Sequence, residues 1–154
     1  MLHLSSIVQQ VTQRFRDQQL DVNNPHIVVE AVSNLPAVEA DPARTEQILV
    51  NLLGNAFHYT DTGKITVRTW HQGDQVWLAV EDTGIGISQT DLPHIFERFW
   101  RADRSRNRGS GGTGIGLAIC KRLVELQGGE IYVSSQVNQG STFKFWLPKA
   151  TLTR

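Results

Sequence analysis

The sequence predicts an α/β sandwich, a mixed sheet covered on one face by helices. Three observations point there. Three runs place apolar residues at helical spacing. Segments 64–70 and 75–81 alternate apolar and polar residues with the period of a strand. The two kinds of segment are interleaved along the chain, so one layer can pack on another. The 154 residues, 40% hydrophobic and 19% charged, suit a compact fold with one core, and we read 1–154 as a single domain.

In the first helix, Leu4, Ile7, Val8, Val11 and Phe15 form one apolar face, with Ser5 or Ser6 as the expected N-cap. Asp21 to Pro25 is a turn, and Ile27-Val28-Val29 reads as a short strand. Asp41-Pro42 opens the second helix: Asp41 caps it, and Pro42 fits a first turn that needs no amide donor. Ile48, Leu49, Leu52, Leu53 and Ala56 give that helix its buried face, and it ends near Tyr59. After the turn Thr60 to Gly63, Lys64 to Trp70 is a strand. His71 to Asp74 reverses the chain, and Gln75 to Glu81 is the hairpin partner. Ser88-Gln89-Thr90-Asp91 resembles a capping box for a short helix. Arg101 to Gly112 is rich in Arg and Gly and lacks an apolar face, so it reads as a mobile loop. Ile115, Ile119, Leu123 and Leu126 predict the apolar face of a third long helix, stopped by Gly128-Gly129. Ile131 to Val133 and Thr142 to Leu147 are the closing strands.

Charge excludes some functions. Lys and Arg total 15, Asp and Glu total 15, and the formal net charge is zero. That is not the basic footprint of a nucleic-acid binder, so an anion site must be local. The one cysteine, Cys120, cannot form an internal disulfide and lies in an apolar helical run, which makes it a small core residue. No apolar stretch is long enough for a bilayer and no signal peptide opens the chain. The expectation is a cytoplasmic domain that does not itself touch a membrane.

Four clusters carry chemistry. In the second helix, Asn51, Asn55, His58 and Tyr59 are three or four residues apart and share a polar face on an otherwise apolar helix. An amide oxygen is a neutral ligand suited to Mg²⁺, which prefers oxygen donors. Next, Asp82-Thr83-Gly84-Ile85-Gly86 follows directly on a strand. A carboxylate there can accept a hydrogen bond from an exocyclic amine such as adenine's, and Gly84 and Gly86 let the backbone approach a flat ligand. The third, Gly112-Thr113-Gly114-Ile115-Gly116-Leu117, opens a helix, where exposed N–H groups and the helix dipole favour phosphate. Its spacing is neither the dinucleotide fingerprint nor a P-loop. The fourth, Gly140-Ser141-Thr142-Phe143, enters the last strand. Each is weak alone; their order, each on the element its role requires, is specific.

Together with Phe96-Glu97-Arg98-Phe99, these motifs make the chain, from about Leu4 to Lys149, resemble the catalytic and ATP-binding domain of a two-component sensor histidine kinase. The resemblance implies the Bergerat fold, with a mostly antiparallel sheet, and ATP and Mg²⁺ as ligands. It makes Asn55 the metal-binding asparagine, Asn51 and Arg101 the catalytic residues at the phosphates, and Asp82 the adenine reader. It also makes His58 and Tyr59 pocket residues, assigns Gly84 and Gly86 to the nucleotide, and gives Gly112, Gly114, Ile115, Gly116 and Leu117 to the phosphate loop. Thr142 is implied near the base.

Related ATPases of this fold carry Glu four residues before the metal asparagine, as a general base for water. An amide at Asn51 cannot take a proton, and Glu46 is more than two turns from Asn55. The resemblance therefore implies transfer to an external nucleophile, a histidine on a separate phosphoacceptor hairpin, with a response regulator downstream. No His here precedes an acidic residue, so that hairpin is expected outside this chain, and the isolated domain is expected to be a monomer. Where the family usually has Lys, this chain has His58, which lowers the positive charge near the phosphates. Two other readings share the fold: a serine kinase of the anti-sigma type, which typically has Glu at position 51, and a nucleotide-binding module without transfer.

Overall fold

The computed structural model describes residues 1–18, 25–97 and 116–151. Helix α1 spans Leu4–Asp17, strand β1 His26–Ala31, helix α2 Pro42–Tyr59, β2 Lys64–Gln72 and β3 Gln75–Asp82. Helix α3 spans Gly116–Leu126, β4 Glu130–Gln136 and β5 Gly140–Pro148. The five strands form one sheet in the order β1-β2-β3-β5-β4. Only β1 and β2 run parallel; the other three pairings are antiparallel. This is the mixed, mostly antiparallel sandwich anticipated above.

Strand alternation separates the two faces of the sheet. Ile65 and Val67, then Val76, Leu78 and Val80, then Phe143, Phe145 and Leu147 point inward. They form one buried cluster with Leu4, Val11, Ile48, Leu49, Leu52, Leu53, Cys120 and Val124 from the helices. On the opposite face Trp70 stacks on Trp77, and Trp77 on Tyr132. The chain ends are tied in by a short bridge ladder, Leu2 to Val38 and Val38 to Lys149.

Asp41 caps α2 by accepting the Arg44 amide at 2.8 Å, and Pro42 sits in the first turn. Three local expectations need correction. Neither Ser5 nor Ser6 caps α1: the helix begins at Leu4, His3 is the N-cap without a side-chain bond, and both serines lie in the first turn. The short helix expected after Ser88 is present, but its N-cap is Asp91 and not Ser88. The Ser88 hydroxyl accepts the Asp91 amide at 3.2 Å, closing a turn that leads into one 3₁₀ turn, Leu92–His94. In α3 the buried residues are Cys120 and Val124, while Ile119 and Leu126 are exposed. The inward stripe is thus displaced around the helix from the face that the large aliphatic residues suggested. Cys120 is fully buried, in keeping with its reading as a core residue.

Candidate functional site

Asp82 is the last residue of β3 and continues the inward series Val76, Leu78, Val80. The strand period thus drives a carboxylate to 5% exposure at the edge of the core. Its Oδ1 accepts two backbone amides, from Gly84 at 2.9 Å and Ser141 at 3.3 Å. Burial pushes the carboxyl above its ordinary range, and the two amide bonds pull in the other direction. The neighbouring Thr60 hydroxyl also favours the charged form, but Thr60 Oγ1 makes no well-formed hydrogen bond, so it is a close neighbour and not a full partner.

Helix α2 brings its polar face to the same end of the sheet. Asn55 and Tyr59, one turn apart, line a cavity with Asp82. The cavity holds about 540 Å³ of empty space, part of it open to solvent. Its apolar wall is Ile85, Ile87, Ile95 and Leu117, and its remaining polar lining is Ser88, Asp91 and Ser141. That mixture, an apolar wall with a few convergent polar groups, suits a heteroaromatic ligand. Gly86 also lines it, with φ of 76°. A Cβ on Gly86 would overlap the Gln136 carbonyl, so only glycine lets this loop lie against the β4–β5 turn.

The structure thus gathers Asn55, Tyr59, Asp82, Gly86 and Leu117 around one cavity. Gly84 forms the turn beneath it, donating to Asp82. Asn51 lies one turn before Asn55 and is off the cavity wall. Its Oδ1 accepts from Gln47 Nε2 at 2.8 Å, and its Nδ2 donates to the Gly116 carbonyl at 3.3 Å, joining α2 to the first residue of α3. His58 packs edge-on against Tyr59, ring centroids 4.6 Å apart, and is not among the lining residues. Thr142 requires a correction. It pairs with Glu81 on the outward face, whereas Ser141, paired with Asp82, points to the cavity. Alternation allows only one of the two neighbours to face inward. Arg101, Gly112, Gly114 and Ile115 lie outside the described residues.

Sequence reasoning missed Ser141, Ser88, Asp91 and the isoleucine wall. The register would have revealed Ser141, since it lies opposite Asp82. Among the described residues no three His, Cys, Asp or Glu side chains cluster as a metal centre. A cation here would rest on the Asn55 amide and on oxygens of the ligand itself. Among the described residues no helix is long and apolar enough to cross a membrane.

Residues 40–151 match the family model described as histidine kinase-, DNA gyrase B- and HSP90-like ATPase. The circadian input-output histidine kinase CikA of Synechococcus elongatus is 49% identical over 114 residues, covering 73% of this chain and 15% of CikA. The adaptive-response sensory kinase SasA of the same organism is 39% identical over 147 residues, covering 94% of this chain and 36% of SasA. This chain therefore spans only a minor part of these relatives. Among solved structures, full-length ShkA in complex with AMPPNP superposes with a TM-score of 0.84 at 30% identity, over 99% of this chain and 31% of ShkA. The catalytic domain of the histidine kinase ThkA, in a nucleotide-free form, superposes with a TM-score of 0.81 at 29% identity, over 96% of this chain and 95% of that one. The chain belongs to the histidine kinase-, DNA gyrase B- and HSP90-like ATPase family, as a catalytic, ATP-binding domain of the sensor histidine kinase type.

Proposed function

We propose that this domain binds Mg²⁺-ATP in the cavity between α2 and β3 and hands the γ-phosphoryl group to a histidine on a separate phosphoacceptor domain of the same kinase. A response regulator would receive the group in turn. The observation that carries the reading is the pairing of a buried acceptor, Asp82, with a helix amide, Asn55, around one apolar-walled cavity. Asp82 accepts the base amine, and the isoleucine wall covers the ring. Asn55 holds the metal, which when bound neutralises phosphate charge. Asn51 and Arg101 are assigned to the phosphate end, together with Gly112, Gly114 and Ile115 and, at the start of α3, Gly116 and Leu117.

An amide in place of a carboxylate at position 51, one turn before Asn55, supports transfer over hydrolysis. Asn51 offers an amide, and Glu46 is engaged by Arg14 at 2.7 Å on the side facing α1. The asparagine at 51 also argues against the serine-kinase reading. The test is to mix the chain with the phosphoacceptor hairpin of its own kinase and γ-labelled ATP. Acid-labile, base-stable label should appear on the hairpin and fall by at least about a hundredfold with Asn55→Ala. Tight ATP binding with no label on the histidine would overturn the transfer step.

A further inference from the structure

Ser135 lies on β4 opposite Ser141 and does not line the cavity. Its hydroxyl nevertheless makes three short polar contacts. Oγ accepts the Ile87 amide at 2.7 Å, reaches the Gly140 carbonyl at 2.9 Å, and lies 2.8 Å from Ser141 Oγ. A serine hydroxyl has one proton to donate and two lone pairs to share. The Ile87 amide can only donate, and the Gly140 carbonyl can only accept. Ser135 therefore spends its proton on Gly140 and one lone pair on Ile87. The remaining contact is satisfied only if Ser141 donates to the second lone pair of Ser135. The reverse assignment would leave two oxygens facing each other at 2.9 Å without a proton between them.

This fixes what Ser141 offers the cavity. With its proton turned toward Ser135, Ser141 Oγ presents lone pairs only, beside a carboxylate that is also an acceptor. We propose that Ser135 is a positioning residue that sets the polarity of the nucleobase site, making Ser141 an acceptor so that the site selects a purine with an amine, and not a carbonyl, at its six-position. The proposal rests on Asp82 being the base-binding carboxylate. The same hydroxyl holds the cavity wall, since Ile87 hangs on it, while the Asn138 amide bonds the Ile85 carbonyl at 2.7 Å from the β4–β5 turn.

ATP and ITP differ at the six-position, so their affinity ratio is the readout. Dissociation constants for both should be measured on wild type, Ser135→Ala, Ser135→Thr and Ser141→Ala. Wild type should prefer ATP. Ser135→Ala frees the Ser141 proton to meet a carbonyl, and the preference should narrow by about fivefold, the worth of one hydrogen bond. Ser135→Thr keeps the hydroxyl and should hold the wild-type ratio. A merely structural role would weaken both nucleotides alike and leave the ratio unchanged. Ser141→Ala leaves Ser135 bonded to Ile87 and Gly140, and should narrow the ratio through ATP alone. An unchanged ratio in Ser135→Ala or Ser141→Ala, or a Thr variant that behaves like Ala, overturns the inference while ATP binding stands. No ATP binding by folded wild type overturns the reading of the site itself.

Discussion

At the scale of single residues, Asp82 is stabilised and destabilised by the same placement. Strand alternation buries it, and burial raises its pKa above the ordinary 3.8 despite two amide donors. The folded protein thus holds this proton more tightly than the unfolded chain. In the window above 3.8 the native state binds more protons, so the contribution of Asp82 to stability is full at low pH and is lost as pH rises through its folded pKa. Asp82→Asn, which cannot ionise, should remove that slope. Denaturant titrations of the nucleotide-free protein across the acidic range will show a flatter pH profile in the variant. The same change should weaken ATP binding by ten- to a hundredfold, roughly the worth of a hydrogen bond to a charged acceptor. A variant that keeps wild-type ATP affinity by calorimetry would remove Asp82 from the role of base reader. The carboxylate thus costs the empty protein stability that a bound base amine would restore.

At the scale of elements, the loop after β3 is held from outside itself. Its residues 85 and 87 bond to the β4–β5 hairpin, and Gly86 lies where any side chain would strike Gln136. Gly86→Ala combines a left-handed backbone with that collision. It should cost about 1–3 kcal/mol in unfolding experiments and weaken ATP binding further, because the displaced loop is the cavity wall. Unchanged stability would mean that the loop and hairpin separate freely. Such long-range clamps also mark the limit of what local pattern reveals. Asp82 was legible because it is a carboxylate that follows directly on a strand, ahead of Gly84 and Gly86. Its inward phase with Val76, Leu78 and Val80 is what the structure adds. Asp41 was legible because a capping aspartate before proline acts within one turn. Ser135 and Ser141 were not, since a serine in a strand reads as a solvent residue until the register sets it opposite Asp82 or against Ile87. Thr142, implied near the base by the family resemblance, lies one residue out of phase with Ser141, which pairs with Asp82. In α3, aliphatic bulk suggested Ile115, Ile119, Leu123 and Leu126 as the inward face; Leu123 packs against the core at partial burial, while Ile119 and Leu126 are exposed. The helix packs instead through the smaller Cys120 and Val124, with the Cys120 thiol in reach of the Ile48 carbonyl, so close approach to α2 outweighed side-chain size.

At the scale of the whole molecule, that α2–α3 contact joins the core to the cavity proposed to hold the nucleotide. Asn51 binds Gly116 across it, Leu117 lines the cavity, and Cys120 is buried beneath with its thiol pushed up to about 12 by burial. At pH 8 roughly one thiol in ten thousand would then be a thiolate, and the native protein should react with an aromatic disulfide reagent only when α3 lifts from α2. The labelling rate then reports the population of that opened form wherever reclosing outpaces reaction. A ligand that binds the closed form alone lowers this population by mass action. At a free ATP concentration of about a hundred times its dissociation constant, labelling should slow by about a hundredfold. ITP at the same concentration should protect less, in proportion to its weaker binding. If saturating ATP leaves the labelling rate unchanged although calorimetry shows it bound, α3 opens without dismantling the site, and the cavity belongs to α2 and the sheet alone. A rate that falls in step with occupancy makes the helix pair and the nucleotide site one cooperative unit, with Asn51 at the joint between them.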